Sequence, residues 1–161
     1  MQDLPTLPNL KNLPLAINHV GYLTEDLERS VATWTALGAT NFQVFEGPTT
    51  AFALGEIPLV KGFDAPGGLS SRVELTQPKA DGLFRERMAK RGPGLDHFGV
   101  VVPDFAQYFD ALIDAGCVMI MDMRKATLGA DHVIVEHHRG MEACFMNCEA
   151  IGFPNIEMFG P

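Results

Sequence analysis

The sequence contains few cysteines and few basic residues. Its 161 residues include three cysteines, an odd and small number for a disulfide framework, so we expect reduced thiols in a cytoplasmic protein. Twelve Lys and Arg residues stand against twenty Asp and Glu residues, for a formal net charge of −8. Because neutralising phosphates requires a clustered basic surface, we do not expect nucleic-acid binding.

The chain also lacks a long apolar run. Its densest apolar stretches, FGVVV and CVMIM, have five residues each, whereas about 20 are needed to span a bilayer. The first residues, MQDLPTLPNLKNLPLA, carry an acid and three prolines in place of the basic start and apolar run of a signal peptide. We therefore expect neither a membrane span nor export. Hydrophobic residues make up 47% of the chain, which is sufficient for a packed core.

An internal repeat is the most informative feature. Residues 17–39 align without a gap with residues 95–117. The matched positions include a histidine, two glycines and an aspartate: His19 with His97, Gly21 with Gly99, Gly38 with Gly116, and Asp26 with Asp104. Chance aligns apolar positions easily, but it less easily aligns these four in one register. The repeat therefore predicts two half-units of the same structure.

A second pair of segments closes the two halves. VELTQP at 73–78 and IEMFGP at 156–161 share the order apolar, Glu, apolar, two variable positions, Pro. Glu74 follows His19 by 55 residues, and Glu157 follows His97 by 60 residues. A difference of five residues fits in a loop. Each half therefore opens with a histidine segment and closes with a glutamate segment.

The local pattern predicts a strand and then a helix at the start of each half. Residues 16–23 and 95–102 are short apolar runs that favour strands. Thr24 is the predicted cap of the first helix, and Pro103 with Asp104 begins the second. Helical spacing predicts the inner faces of the two helices. These faces are Leu27, Val31, Trp34 and Leu37 in the first helix, and Phe105, Phe109, Leu112 and Ile113 in the second.

Short strand-like segments follow each helix. They are QVFEG, FALGEIPLV and SRVELT in the first half, and CVMIM, HVIVEHH, ACFMN and NIEMF in the second. The predicted fold class is α+β, with two βαβββ repeats. We expect an irregular arm at 1–15, a first half at 16–90 with a connecting helix over 79–90, and a second half at 91–161, all in a single compact domain.

The repeat places one histidine and one glutamate inside a strand of each half. His19, Glu74, His97 and Glu157 are flanked by residues whose side chains point to the opposite face of the strand. Two imidazoles and two carboxylates suit a divalent first-row metal ion. A single buried histidine is more often a core residue, and a single strand glutamate is usually solvated. Because the same pair recurs in the same context, we favour a metal site.

The same residues carry a family resemblance. The paired halves resemble the vicinal oxygen chelate superfamily, which includes glyoxalase I, methylmalonyl-CoA epimerase, extradiol dioxygenases, and fosfomycin and bleomycin resistance proteins. INHVGYLTEDLERSVATWTALGA is similar to the first strand and helix of the epimerase and glyoxalase branches. VELTQP is similar to their fourth strand, and GPGLDHFGVVVPD is similar to the fifth strand of the epimerases. The resemblance covers residues 16–161 and implies a curved mixed sheet around the metal site.

The resemblance also implies a site and an activity. It places the metal ligands at His19, Glu74, His97 and Glu157, for one divalent ion (Co, Ni, Zn, Mn, Fe or Mg). It implies an isomerase or epimerase that abstracts the α-proton of a carbonyl or acyl-CoA-type substrate, with a metal-stabilised enolate and with Glu157 and Glu74 as the acid–base pair. Glu74 stands where methylmalonyl-CoA epimerases commonly have Gln and glyoxalase I has Glu. A homodimer with a small-molecule substrate is expected from the same resemblance.

Three alternatives remain open at this point. A glyoxalase I-like lyase would use the same ligands. An extradiol dioxygenase would bind Fe(II) through two histidines and one carboxylate, and Glu74 would then be one ligand too many. A small-molecule-binding resistance protein would have the fold without a metal ion, which would leave the four polar side chains in need of other partners.

Several other residues favour an ordinary structural role. Cys144 and Cys148 are predicted to be buried reduced thiols. We expect a cluster of basic residues to lie on a solvated helix face, and phosphate binding is the alternative. We expect four phenylalanines to lie in the core rather than to line a substrate pocket. We expect the histidines of HVIVEHH to lie on a solvent-facing edge rather than to contact a substrate. The cluster is Arg85, Arg87, Lys90 and Arg91; the phenylalanines are Phe42, Phe45, Phe52 and Phe63; the histidines are His132, His137 and His138.

Overall fold

The same order of elements is built twice along the chain. The structure, a computed structural model, describes residues 16–58, 71–122 and 142–161. Residues Asn18–Asp96 form one compact unit, and His97–Pro161 belong to the other. In the first half the elements are β1 (Ala16–Leu23), α1 (Leu27–Ala36), β2 (Thr40–Glu46), β3 (Thr50–Ile57), β4 (Ser71–Pro78) and the connecting helix α2 (Leu83–Arg91). In the second they are β5 (Gly94–Val101), α3 (Phe105–Asp114), β6 (Val118–Asp122), β7 (Glu142–Asn147) and β8 (Asn155–Gly160).

Strand pairing is equivalent in the two halves. In the first half, β1 pairs parallel with β4, while β3 pairs antiparallel with both β4 and β2. In the second half, β5 pairs parallel with β8, while β7 pairs antiparallel with both β8 and β6. The strand orders are thus β2-β3-β4-β1 and β5-β8-β7-β6. The mixed strands and the helices confirm the predicted α+β fold class with two βαβββ repeats.

Equivalent aspartates begin the first helix of each half. The Asp26 carboxylate accepts a hydrogen bond from the Arg29 amide at 2.9 Å, and the Asp104 carboxylate accepts one from the Gln107 amide at 2.9 Å. Both aspartates therefore satisfy an amide that the first helical turn leaves without a partner. The prediction that Thr24 caps α1 is wrong. The Thr24 hydroxyl instead accepts a hydrogen bond from the Asp26 amide, which orders the turn before the helix.

Each half has its own apolar core. In the first half, Leu27 of α1 packs with Val73 and Leu75 of β4, and Val31 and Trp34 lie against this cluster. In the second, Phe105, Tyr108 and Leu112 of α3 pack against β7 and β8.

Two residues predicted on inner helix faces lie outside the cores. Leu37 is 75% exposed and follows the end of α1, and Ile113 is 42% exposed near the end of α3. The buried face of α3 includes Tyr108 and Ala111, which were not predicted to lie on it, and it does not include the predicted residue Ile113. The inner face of α3 is therefore rotated relative to the one predicted from helical spacing.

The predicted arm at 1–15 and the HVIVEHH segment lie outside the described residues. Among the helices that the structure describes, none is both long and apolar enough to cross a membrane.

Candidate functional site

The first half brings His19 and Glu74 together. His19 lies on β1 and is 4% exposed, and Glu74 lies on the adjacent strand β4. The Nε2 atom of His19 is 3.8 Å from the Oε2 atom of Glu74, whose side chain is 18% exposed. This distance exceeds the usual range of an N–H···O hydrogen bond, about 2.7–3.2 Å. The two atoms therefore face each other with room for a small cation or a proton between them.

The second half repeats this arrangement with His97 and Glu157. The Nε2 atom of His97 is 3.5 Å from the Oε2 atom of Glu157, and the two side chains are 1% and 5% exposed. His97 lies on β5, and Glu157 lies on the parallel strand β8. Burying a carboxylate is costly unless a positive or hydrogen-bonding group compensates it. The nearly complete burial of this pair therefore favours a role that requires the carboxylate away from water.

A glycine lies level with the glutamate in each half. Gly21 on β1 is the register partner of Glu74, and Gly99 on β5 is the register partner of Glu157. Side chains of register partners in a parallel pair project to the same face of the sheet. Because glycine has no side chain, β1 and β5 place no side chain level with these carboxylates, on the side where each histidine strand runs.

Two further side chains orient the first pair. The Asn18 side-chain oxygen lies 3.1 Å from the Nδ1 atom of His19, and since a carbonyl oxygen only accepts, Nδ1 carries the hydrogen. The Thr76 hydroxyl donates to the Oε1 atom of Glu74 at 2.9 Å. Asn18 therefore orients the His19 ring through Nδ1, and Thr76 holds the Glu74 carboxylate through Oε1. Neither residue was predicted from the sequence, although strand alternation puts Thr76 on the same face as Glu74.

Aromatic packing surrounds the second pair. The ring of Phe145 meets the ring of His97 edge-on, with centroids 5.0 Å apart. Phe145 is also the register partner of Glu157 across the antiparallel strands β7 and β8. This ring is 1% exposed and therefore shields both members of the pair from water.

The basic residues of α2 depart from the prediction of a solvated face. Arg87 is 9% exposed, and its guanidinium lies 2.7 Å from the Asp96 carboxylate and donates to the Asp96 carbonyl oxygen at 3.2 Å. Asp96 directly precedes His97. The prediction is wrong for Arg87 because a buried acid pairs with it. Lys90 and Arg91 are exposed, as predicted.

The cysteines form no disulfide and are buried, as the sequence predicts for Cys144 and Cys148. Cys117, Cys144 and Cys148 all belong to the core of the second half. Burial raises the pKa of the Cys148 thiol well above its usual range and also raises the pKa of Cys117. The thiols of Cys117 and Cys148 therefore remain protonated at neutral pH, which makes them poor nucleophiles and poor metal ligands.

Three of the four phenylalanines expected in the core, Phe42, Phe45 and Phe52, are half-buried. Phe42 packs against the apolar core of the first half, as predicted. The rings of Phe45 and Phe52 pack against each other at a tilt across β2 and β3, with centroids 4.8 Å apart. Phe63 and the histidines of HVIVEHH lie beyond the part of the chain that the structure describes.

Solved structures with the same fold include proteins from three bacteria. Hypothetical protein BH1468 from Bacillus halodurans C-125 is 17% identical, with a TM-score of 0.65 over 91% of this chain and 94% of that chain. A variant of methylmalonyl-CoA epimerase from Streptomyces coelicolor, in complex with 2-nitronate-propionyl-CoA, is 20% identical, with a TM-score of 0.61 over 89% and 95%. Methylmalonyl-CoA epimerase from Mycobacterium tuberculosis is 19% identical, with a TM-score of 0.60 over 90% and 87%. These similarities establish the fold.

Comparison with known families and curated proteins gave one match and one negative result. No curated protein sequence matches the chain. A family model matches residues 18–135, most of the chain, including the histidine of each half and Glu74. The resemblance seen in the sequence is thereby confirmed, and the chain belongs to the Glyoxalase/Bleomycin resistance protein/Dioxygenase superfamily.

Proposed function

We propose that this chain is a metal-dependent isomerase or epimerase that removes and returns the proton on the carbon next to a carbonyl group. The observation that carries the proposal is the recurrence of one buried His–Glu pair in each half, at 3.8 Å and 3.5 Å. Two pairs at equivalent positions would supply two imidazole nitrogens and two carboxylate oxygens as ligands of one shared ion.

The proposed metal ligands are His19, Glu74, His97 and Glu157. Two imidazole nitrogens and two carboxylate oxygens suit Co, Ni, Zn, Mn or Fe, and Mg accepts the oxygens. Two ligand atoms that each lie about 2.1 Å from one ion are about 3.0–3.5 Å apart. The His–Glu distances within the two halves lie at or slightly above that spacing, so small side-chain movements would bring each pair onto an ion.

The proposed reaction has two parts, which are binding of the substrate at the metal site and proton transfer by Glu157 and Glu74. When bound, the ion would polarise a substrate carbonyl and stabilise the negative charge that develops beside it. Glu157 accepts the α-proton at a carboxylate oxygen and returns it to the other face of the same carbon or to a neighbouring carbon. Glu74 is the partner acid–base group. The step needs no oxidant or reductant, because the proton leaves and returns while the electron pair stays on the substrate.

The proposed substrate class is a small carbonyl compound of the acyl-CoA type. The names of two structural neighbours, the epimerases from Streptomyces coelicolor and Mycobacterium tuberculosis, support this class. The second candidate function is a glyoxalase I-like lyase. Glu74 supports it, because glyoxalase I has Glu at this position whereas methylmalonyl-CoA epimerases commonly have Gln. A homodimer also remains part of the proposal, on the strength of the sequence resemblance.

The test is α-proton exchange in D₂O with protein loaded with each candidate metal. The substrates are methylmalonyl-CoA, other 2-substituted acyl-CoA esters and α-hydroxyketones, and mass spectrometry detects deuterium at the α-carbon. We expect exchange that depends on the metal and disappears after chelation. A lack of exchange in both substrate classes by metal-loaded, folded protein would overturn the proposal. Oxygen consumption with Fe(II) and a catechol would instead indicate a dioxygenase, and tight binding of a small molecule without metal would indicate a resistance-type protein.

A further inference from the structure

The two oxygens of the Glu74 carboxylate have different neighbours. The Oε1 atom accepts a hydrogen bond from the Thr76 hydroxyl at 2.9 Å. The Oε2 atom lies 3.8 Å from the Nε2 atom of His19. Glu74 and Thr76 are two residues apart on β4 and therefore project to the same face. The hydroxyl thus holds one oxygen while the other oxygen faces the histidine.

Thr76 is well fixed for this role. Its side chain is 1% exposed, and its β-branched carbon restricts rotation about χ1. Its carbonyl oxygen accepts a hydrogen bond from the Thr24 amide at 2.9 Å, and strands on both sides pair with it, at Leu23 of β1 and Phe52 of β3. A buried hydroxyl that loses its acceptor loses free energy. The backbone and the burial therefore keep the hydroxyl on the Glu74 carboxylate.

We propose that Thr76 is a positioning residue that occupies Oε1 of Glu74 and so reserves Oε2 as the single oxygen that Glu74 gives to the metal ion. This inference rests on the proposed function, because it requires the metal site. A carboxylate without this restraint can rotate and bind an ion through both oxygens. The Thr76 hydroxyl therefore sets the number of oxygens that Glu74 donates and leaves more of the ion open to substrate.

The second half has no hydroxyl at the position that Thr76 occupies. The residue two positions after Glu157 is Phe159, at the place that Thr76 occupies after Glu74. The restraint proposed for Glu74 is therefore not supplied to Glu157 by the equivalent residue of the repeat.

The test is binding of Co(II) to a set of variants, without any substrate. Thr76→Val keeps the shape of the side chain and removes the hydroxyl, while Thr76→Ser keeps the hydroxyl. Removal of a group that orients a metal ligand typically weakens metal affinity by about 10–100-fold. We expect a loss of this size in Thr76→Val, together with a change in the visible d–d absorption of bound Co(II), and near-normal values in Thr76→Ser. Thr33→Val is the control because the Thr33 hydroxyl of α1 also donates a hydrogen bond, to the Arg29 carbonyl oxygen at 2.8 Å, outside the contacts that join Thr24, Thr76 and Glu74. It should leave Co(II) binding unchanged.

A double-mutant comparison shows whether Thr76 acts through Glu74. In a Glu74→Ala background, Thr76→Val should have no further effect on Co(II) affinity. Thr76→Val that binds Co(II) with wild-type affinity and spectrum would overturn the inference, as would an equal loss in the Glu74→Ala background. Because no substrate is present, failure of α-proton exchange in the wild-type protein would overturn the proposed reaction without changing these results.

Discussion

The imidazole of His97 and the carboxylate of Glu157 face each other across 3.5 Å and are both almost excluded from solvent. The equivalent carboxylate in the first half, Glu74, is 18% exposed and has a hydroxyl donor on one oxygen. A carboxylate that is sheltered from water meets the substrate without a competing shell of water molecules. Glu157 is therefore the better candidate for the base.

Glu157→Gln should separate proton transfer from metal binding. The amide keeps the size of the side chain and one oxygen that can bind the ion, but it cannot accept the proton. We expect α-proton exchange to fall by about 10²–10⁴-fold, the usual contribution of a general acid or base. Metal content and the unfolding midpoint should change much less. Glu28→Gln, on the exposed face of α1, is the control, and full exchange activity in Glu157→Gln would leave Glu157 as a ligand only.

Glu74→Gln should distinguish the two candidate reactions. Glutamine commonly occupies this position in methylmalonyl-CoA epimerases, so an epimerase mechanism should tolerate the change with less than about a tenfold loss in exchange rate. A glyoxalase-like mechanism uses both carboxylates and should lose as much activity as Glu157→Gln does. The measurement is the exchange rate in D₂O for both variants under the same metal loading. A large loss in Glu74→Gln would count against the epimerase and favour the lyase.

The Arg87–Asp96 ion pair, which joins α2 to β5, should stabilise the protein. Its atoms lie 2.7 Å apart, and the two side chains are 10% and 2% exposed. Arg87→Met leaves a buried carboxylate without its cation, so we expect a loss of about 3–5 kcal/mol in the free energy of unfolding. The measurement is urea unfolding followed by circular dichroism. Lys90→Met, on the exposed part of α2, is the control, and an equal effect of the two substitutions would show that the ion pair adds little.

The buried thiols predict a pH dependence of stability. Burial raises the pKa of Cys148 and of Cys117 above the unfolded value, which is about 8.5 for a thiol. Their contribution to stability is therefore fully present below pH of about 8.5 and is lost as the pH rises toward the folded pKa, because the unfolded state then releases protons that the folded state retains. Urea unfolding at pH 7.5 and 9.5 should show a decrease that is smaller in Cys148→Ala. An equal decrease in both proteins would contradict this assignment.

The sequence was most informative where the repeat matched polar residues. His19, Glu74, His97 and Glu157 could be selected because each half contains the same pair, and the structure brings the members of each pair together within its half. The succession of strands and helices along the chain could also be predicted in outline, because apolar segments and turns recur. A polar residue at a matched position is informative because the core does not require it.

Other features could not be predicted, because the sequence fits more than one alternative about equally well. Thr24 and Asp26 are both good helix caps two residues apart, and the backbone conformation selects Asp26. Helical spacing permits more than one inner face for α3, and packing against β8 selects the face with Tyr108. Arg87 is buried because Asp96 meets it across a turn of the chain, which composition and spacing do not reveal. The hydroxyl of Thr76 likewise became informative only once its acceptor was known.

Calorimetric titration of the metal-free protein with Co(II) tests the central claim most directly, because it counts the ions bound by two His–Glu pairs. If His19, Glu74, His97 and Glu157 form one site, the titration should reach saturation at one Co(II) ion per chain in a single binding step. Saturation at two ions per chain would show that each half binds its own ion, and a titration without binding would show that the two pairs are structural; either result would contradict the account.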